Sequence, residues 1–367
     1  MTRYTPLVAS LPSTVPFVGP ETQERARGQA FRARVGANES VFGPSPKAIE
    51  AMAVAAADCW KYGDPENHDL KHALADHHGV AAENIVVGEG IDGLLGLLVR
   101  MVVEKGTKVV TSMGAYPTFN FHVQGFGGEL VTVPYKDDCE DPQALIAAIK
   151  EHNVPLAYFA NPDNPMASFH PASTVAKLID DMPEDSLLCL DEAYCEFAPE
   201  GALVPIDVEE TRVIRTRTFS KAYGMAGARV GYAIGHRDVI DAFNKVRNHF
   251  GVNRIAQAGA LAALADQDYL QQVIEWVQAS NAIIAEIAIE NGLSPLPSAT
   301  NFVTIDCGSD GEFAKNVVAE LVARDVFVRM PFVAPGNRCI RISAGTDADL
   351  DLVRQMLPQA LKSARDA

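Results

Sequence analysis

Seven short apolar runs, spaced along the chain with helical patterns between several of them, limit what it can fold into more than any other feature. The runs cover residues 85–87, 108–111, 130–133, 156–160, 187–190, 213–216 and 230–234, and helical periodicity marks stretches such as 142–150 and 174–181. A strand that is apolar throughout must be covered on both faces, which is the condition of strands inside a parallel sheet. The alternation therefore predicts an α/β domain with a central, mainly parallel seven-stranded sheet sandwiched by helices. Beyond about residue 254 the rhythm changes to helices over 256–265 and 269–290, a strand over 301–306 and a helix over 310–324. Strand runs at 326–329 and 339–343 and a helix from 347 complete it. This is the pattern of a second, smaller α+β domain. The expected organisation is an N-terminal arm over 1–35 that packs on the small domain, a large domain over 36–254 and a small domain over 255–367.

Composition removes several classes of function. Among 367 residues, 47 acidic side chains outnumber 31 basic ones, a net charge of −16, so a surface that binds phosphate backbones is not expected. The longest apolar stretch, residues 94–103, is broken by Gly96 and Arg100 and falls short of the roughly 20 residues a membrane helix needs. The first 20 residues carry prolines at 6, 12, 16 and 20 and lack the basic-then-apolar layout of a signal peptide, so they read as an extended arm. Six cysteines (59, 139, 189, 195, 307, 339) form no close pair. Neither a disulfide framework nor a zinc module is expected, and a reducing cytoplasm fits best. His68, His72, His77 and His78 share a helical stretch with Asp69, Lys71 and Asp76, which reads as a solvated surface and not as a metal site.

Four segments carry chemistry. Gly88-Glu89-Gly90-Ile91-Asp92-Gly93 follows a strand run and opens a helical pattern, as a dinucleotide fingerprint does. The next strand run, however, leads through Ser112 into Met113-Gly114 without the carboxylate that would hold a ribose, so a simpler phosphate cradle of backbone N–H groups at a helix start is the better reading. Lys221 lies just past a strand end, between Thr218 and Ser220 and a glycine-rich stretch that closes at Arg229, a setting suited to an amine that must be uncharged to attack a carbonyl. Asp191 ends an apolar run with Tyr194 three residues on, and Asn164 offers an amide on the proline-stiffened turn Asn161-Pro162-Asp163-Asn164-Pro165. Taken singly, each has a bland counterpart: a turn, a cap, a surface lysine.

In this order and spacing, Asn164-Pro165, Asp191 with Tyr194, and Ser220-Lys221 with Arg229 resemble the fold-type-I pyridoxal-phosphate aminotransferases, whose architecture is that of aspartate aminotransferase. The likeness extends from Ala37-Asn38-Glu39 to Arg341-Ile342-Ser343 and points to the histidinol-phosphate aminotransferase branch. It implies the cofactor pyridoxal 5′-phosphate, with Lys221 forming the Schiff base and moving the proton at the substrate α-carbon. Asp191 would pair with the pyridine nitrogen, Asn164 and Tyr194 would hold the ring oxygen, and Tyr116 would stack on the ring. The phosphate would take the backbone of Gly90, Ile91 and Asp92, the hydroxyls of Thr218 and Ser220, and Arg229. The resemblance also implies a homodimer with shared active sites, in which Tyr62 reaches the partner's phosphate site. Asn38, Arg329 and Arg341 would bind substrate, Arg341 through the α-carboxylate and Arg329 through a distal phosphate, with 2-oxoglutarate as amino acceptor.

Two departures keep the substrate open. Asn164-Pro165-Met166-Ala167 stands where the family usually reads Asn-Pro-Thr-Gly, and Val15-Pro16-Phe17-Val18 stands where histidinol-phosphate enzymes tend to place a tyrosine. An aromatic transaminase and an amino-acid-phosphate decarboxylase on the same fold remain alternatives. A nicotinamide-dependent dehydrogenase built on the glycine loop and a silent binding protein are the more distant ones.

Overall fold

The computed structural model describes residues 2–13 and 18–366. Its strands are β1 (Ala33–Arg34), β2 (Ile85–Gly88), β3 (Lys108–Ser112), β4 (Glu129–Val133), β5 (Leu156–Ala160), β6 (Leu187–Asp191) and β7 (Val213–Thr218). They continue with β8 (Gly231–Gly235), β9 (Ser294–Pro295), β10 (Phe302–Asp306), β11 (Val326–Phe327) and β12 (Cys339–Ser343). The first helices are α1 (Pro6–Ser10), α2 (Pro20–Arg27), α3 (Pro46–Ala56), α4 (His68–His78), α5 (Gly90–Val102) and α6 (Pro117–Gly125).

Seven strands form one sheet in the order β2-β8-β7-β6-β5-β3-β4, and β8 alone runs against the others. Successive residues of a strand face opposite sides, and here each side is covered. Val109, Leu156, Tyr158, Cys189 and Ile214 pack under α5 and α6 on one face, whereas Val110, Ala157, Phe159, Leu188 and Leu190 pack under helices Pro142–His152 and Ala172–Asp180 on the other. This is why the strand runs read as continuously apolar. The helices over 142–152 and 172–180 lie where periodicity places them.

A second core gathers around the three-stranded sheet β12-β10-β9 and the helices Gly311–Ala323 and Asp347–Asp366. Sequence periodicity overlooks the two-residue strands β1 and β9, because two residues carry no period. β1 pairs in parallel with β11, the Phe31 and Phe327 rings lie 5.3 Å apart, and Arg27 meets Asp325, so residues 27–34 are fastened to this second core. Leu7 of α1 instead lies against Gly127 of the first. The strand run expected over 326–329 stops at Phe327, and Arg329 continues as an isolated antiparallel bridge to Arg341. Helix α4 is less solvated than its histidines imply: Leu70, Leu74 and Ala75 are buried, and His78 Nε2 hydrogen-bonds the Tyr232 hydroxyl at 2.9 Å. All six cysteines are free thiols, and no helix of the described residues is long and apolar enough to cross a membrane.

Candidate active site

The carboxyl ends of β5, β6 and β7 open into one cleft, where ligands of open α/β sheets bind. Its cavity of about 240 Å³ equals roughly eight water volumes, so it accommodates an organic ligand. Ile91, Asp92, Tyr116, Asn164, Asp191, Tyr194, Thr218, Ser220, Lys221 and Arg229 all line it, which brings five separate sequence segments together.

Lys221 follows β7 on a loop whose position is set by buried Phe219 and Ala222 and by two backbone bonds, Phe219 N–H to Val230 O and Met225 N–H to Phe219 O. Its Nζ donates to the Asn38 carbonyl at 3.2 Å and stands 5.6 Å from the centre of the Tyr194 ring. Burial, with Arg341 and Arg229 nearby, lowers the ammonium pKa to about 8. A larger neutral fraction near physiological pH is what a carbonyl-attacking amine requires.

Asp191 ends β6 and is 4% exposed. One carboxylate oxygen accepts the Tyr158 hydroxyl at 2.6 Å and the other the Ala193 N–H at 2.9 Å. Burial raises its pKa to about 6, against those two donors. Tyr194, buried nearby, accepts the Asn38 amide at 2.9 Å, which leaves its own O–H free to donate, and burial lifts the phenol to about 12.

The first turn of α5 supplies the opposite wall. Its leading N–H groups have no partner within the helix, and their positive end faces the cleft. Thr218 Oγ1 donates to Ser220 Oγ at 2.9 Å, and Arg229 Nη1 donates to the same hydroxyl at 3.3 Å. Arg229 also lies 3.5 Å from Asp92, whose carboxylate accepts the Tyr116 hydroxyl at 2.7 Å. Two glycines allow this closeness. A Cβ on Gly231 would come within 2.9 Å of Ile91 N, and one on Gly90, which has φ +75°, within 2.4 Å of the Arg229 guanidinium.

On the side of the second core, β12 delivers Arg341. It is 9% exposed, bonds the Asn164 side-chain oxygen, lies 5.0 Å over the Phe302 ring and keeps its buried Nε without a partner. Burial, with Arg329 beside it, depresses the guanidinium to about 10. A cation so placed calls for an anion. Arg329 is joined to Arg341 through the backbone, and its guanidinium donates to the Val18 carbonyl at 2.9 Å. Asn38, at φ +56°, ties these parts together: its amide reaches Tyr194, its side-chain oxygen accepts the Ser343 hydroxyl, and its carbonyl takes Lys221 and Asn301.

Tyr62 is not brought to the cleft of its own chain. It is 77% exposed, with its ring 4.7 Å from that of Phe250. Val15, Pro16 and Phe17 lie outside the described residues. Sequence reasoning missed Tyr158, which inside an apolar strand looks like any core aromatic, and Glu39, which also lines the cleft.

These donors fit pyridoxal phosphate. A hydroxyl pair, a guanidinium and a helix start suit a phosphate, a buried carboxylate suits a protonated ring nitrogen, and an amine of lowered pKa lies between. The sequence profile of the family "Aminotransferase class I and II" matches residues 34–357. The chain belongs to that family. It is accordingly an aminotransferase, and its cofactor is pyridoxal 5′-phosphate. Histidinol-phosphate aminotransferase 2 of Nitrosospira multiformis is 31% identical over 337 residues, 91% of this chain and 85% of that one. The structure of histidinol-phosphate aminotransferase from Sinorhizobium meliloti in complex with pyridoxal-5′-phosphate is 56% identical, with a TM-score of 0.96 over 99% of this chain and 98% of that one. Aspartate aminotransferase of Thermus thermophilus, 22% identical with a TM-score of 0.82 over 98% of this chain and 100% of that one, shows the shared fold alone.

Proposed function

We propose that this protein transfers the amino group of histidinol phosphate to 2-oxoglutarate, as a homodimer with shared active sites. The observation that carries the reading is the 56% identity, across nearly the whole chain, to an enzyme of that name. The paired cations Arg341 and Arg329 agree with it, since histidinol phosphate carries a phosphate and 2-oxoglutarate two carboxylates.

Pyridoxal phosphate supplies an electrophilic carbon and an electron sink for charge that develops at the substrate α-carbon. The residues do the rest. Thr218, Ser220, Arg229 and the N–H groups of Gly90, Ile91 and Asp92 would hold the phosphate, and Tyr116 would lie against the ring. Asp191 keeps a proton on the ring nitrogen, while Tyr194 and Asn164 serve the ring oxygen. Lys221 Nζ would anchor the cofactor and, once the substrate amine displaces it, would take the proton from the substrate α-carbon. Arg341 binds a substrate carboxylate with two parallel N–H groups, Arg329 takes the distal phosphate, and Asn38 holds Tyr194 and the lysine in place.

The shared site rests on Tyr62. Its ring lies against Phe250, and with exposed Trp60 close by in sequence it offers aromatic surface to a second copy; in that dimer the partner subunit's Tyr62 would reach the phosphate cradle. Six free thiols suit a reducing cytoplasm.

The deciding measurement is kcat/KM for histidinol phosphate against phenylalanine, each with 2-oxoglutarate. Preference for histidinol phosphate, with Arg329→Ala affecting only donors that carry a distal anion, is the expected outcome. Preference for phenylalanine with no effect of Arg329→Ala would make an aromatic transaminase the better description, and carbon dioxide release would make the enzyme a decarboxylase.

A further inference from the structure

Asp191 and Tyr158 meet through strand register. β5 and β6 are parallel with Ala160 opposite Asp191, and paired residues of neighbouring strands point to the same face. Tyr158, two residues before Ala160, shares that face, so its hydroxyl spans one diagonal step to the carboxylate, at 2.6 Å. The ring has little freedom: it is 1% exposed and stacks on Phe119 at 4.7 Å with 24° between the planes.

The remaining surroundings of Asp191 disfavour its charge. Burial is the largest influence, and Asp92 from α5 and Glu192 just past β6 add like charge. Glu140 and Asp163 are further acids that feel its charge, and the neighbouring titratable groups Tyr194 and Cys189 bring no cation. Two hydrogen bonds among the described residues favour the anion, from the Tyr158 hydroxyl and the Ala193 N–H. The N–H belongs to the backbone and is present whatever the side chains. Tyr158 is therefore the side chain that, among the described residues, hydrogen-bonds this carboxylate.

We propose that Tyr158 is a positioning residue for the cofactor, its hydroxyl holding the Asp191 carboxylate anionic and aimed at the pyridine nitrogen. This rests on the reading of Asp191 as the ring partner.

Tyr158→Phe keeps the ring and its stacking and removes the hydroxyl alone. Two readouts follow: the Kd of the apoenzyme for pyridoxal phosphate, and the pH at which the visible absorption of the bound cofactor changes. Loss of one hydrogen bond to a charged group should weaken binding roughly tenfold. The absorption midpoint should rise, because a ring nitrogen that loses its proton withdraws fewer electrons from the lysine-linked carbon and its nitrogen. Asp191→Asn, measured alongside, should move both readouts further, and Tyr158→Phe should add nothing in the Asp191→Asn background. A Tyr158→Phe enzyme that melts lower but keeps wild-type affinity and midpoint would overturn the proposal, leaving the tyrosine as packing. If Asp191→Asn itself changes neither readout, the assignment of Asp191 to the ring nitrogen fails instead.

Discussion

In the proposed mechanism a single amine decides whether this cleft is reactive. Lys221→Ala should abolish turnover while leaving the melting temperature close to wild type, because it removes the carbonyl-binding and proton-moving group but no large core volume. Transamination above a few per cent of wild type would contradict that role. The titration of the lysine gives a second expectation. Burial lowers its pKa to about 8. Only the neutral amine attacks a carbonyl, so the rate at which apoenzyme captures pyridoxal phosphate should climb as pH rises through about 8 and level off above it. Stopped-flow absorbance from pH 6.5 to 9.5 measures this, and a flat profile would mean that the amine is already neutral or that its deprotonation does not limit capture. How legible such residues are depends on their neighbours. Lys221, Asp191 and Arg229 stand beside glycines, hydroxyls or strand ends that make a charged residue conspicuous in the sequence. Tyr158 escapes notice because an aromatic in an apolar strand has the same local pattern whether or not its hydroxyl is used, and only the pairing of β5 with β6 shows its partner.

Elements matter here through how closely their ends approach. Strand β8 passes the start of α5 so tightly that a methyl group on Gly231 would fall 2.9 Å from Ile91 N and Gly90 C and 3.0 Å from Arg217 O. All three are backbone atoms that cannot swing aside. Gly231→Ala should therefore destabilise the fold by about 1–3 kcal/mol, as overpacking does, and weaken cofactor binding by displacing the helix start. Chemical denaturation and equilibrium dialysis report the two effects, and a variant unchanged in both would show that the cradle is loose. At the other end of α4, His78 is held neutral: burial pushes its pKa down to about 3, well below its ordinary 6.5. The unfolded chain then binds the extra proton, so this contact contributes stability above about pH 6.5 and loses it progressively as pH falls. The drop in melting temperature between pH 7 and pH 5 should be smaller in His78→Gln than in wild type. An equal drop would mean that the imidazole is already charged in the fold. Long periodic elements such as helices Pro142–His152 and Ala172–Asp180 were readable from sequence. The strands β1 and β9 were not, since their pairing is settled by partners far along the chain.

Over the whole molecule, exposed Trp60, Tyr62 and Phe250 are where the proposed dimer can be tested. Sedimentation should find a dimer at working concentration, and Tyr62→Phe should lower cofactor affinity without separating the subunits. A fully active monomer would refute sharing of the site. The cleft also draws on the entire sequence. Asn38, next to a short strand fastened to the second core, is bonded to Lys221, to Tyr194 and, through Ser343, to β12. A chain still emerging from the ribosome can form the sheet that presents Lys221 and Asp191 before Arg341 and Ser343 have been made. Until then the amine has no finished enclosure to desolvate it or orient its partners. Colour from the bound cofactor would thus report the joining of the two cores only if that enclosure, and not the sheet alone, is what captures it, a distinction drawn by comparing wild type with Asn38→Ala.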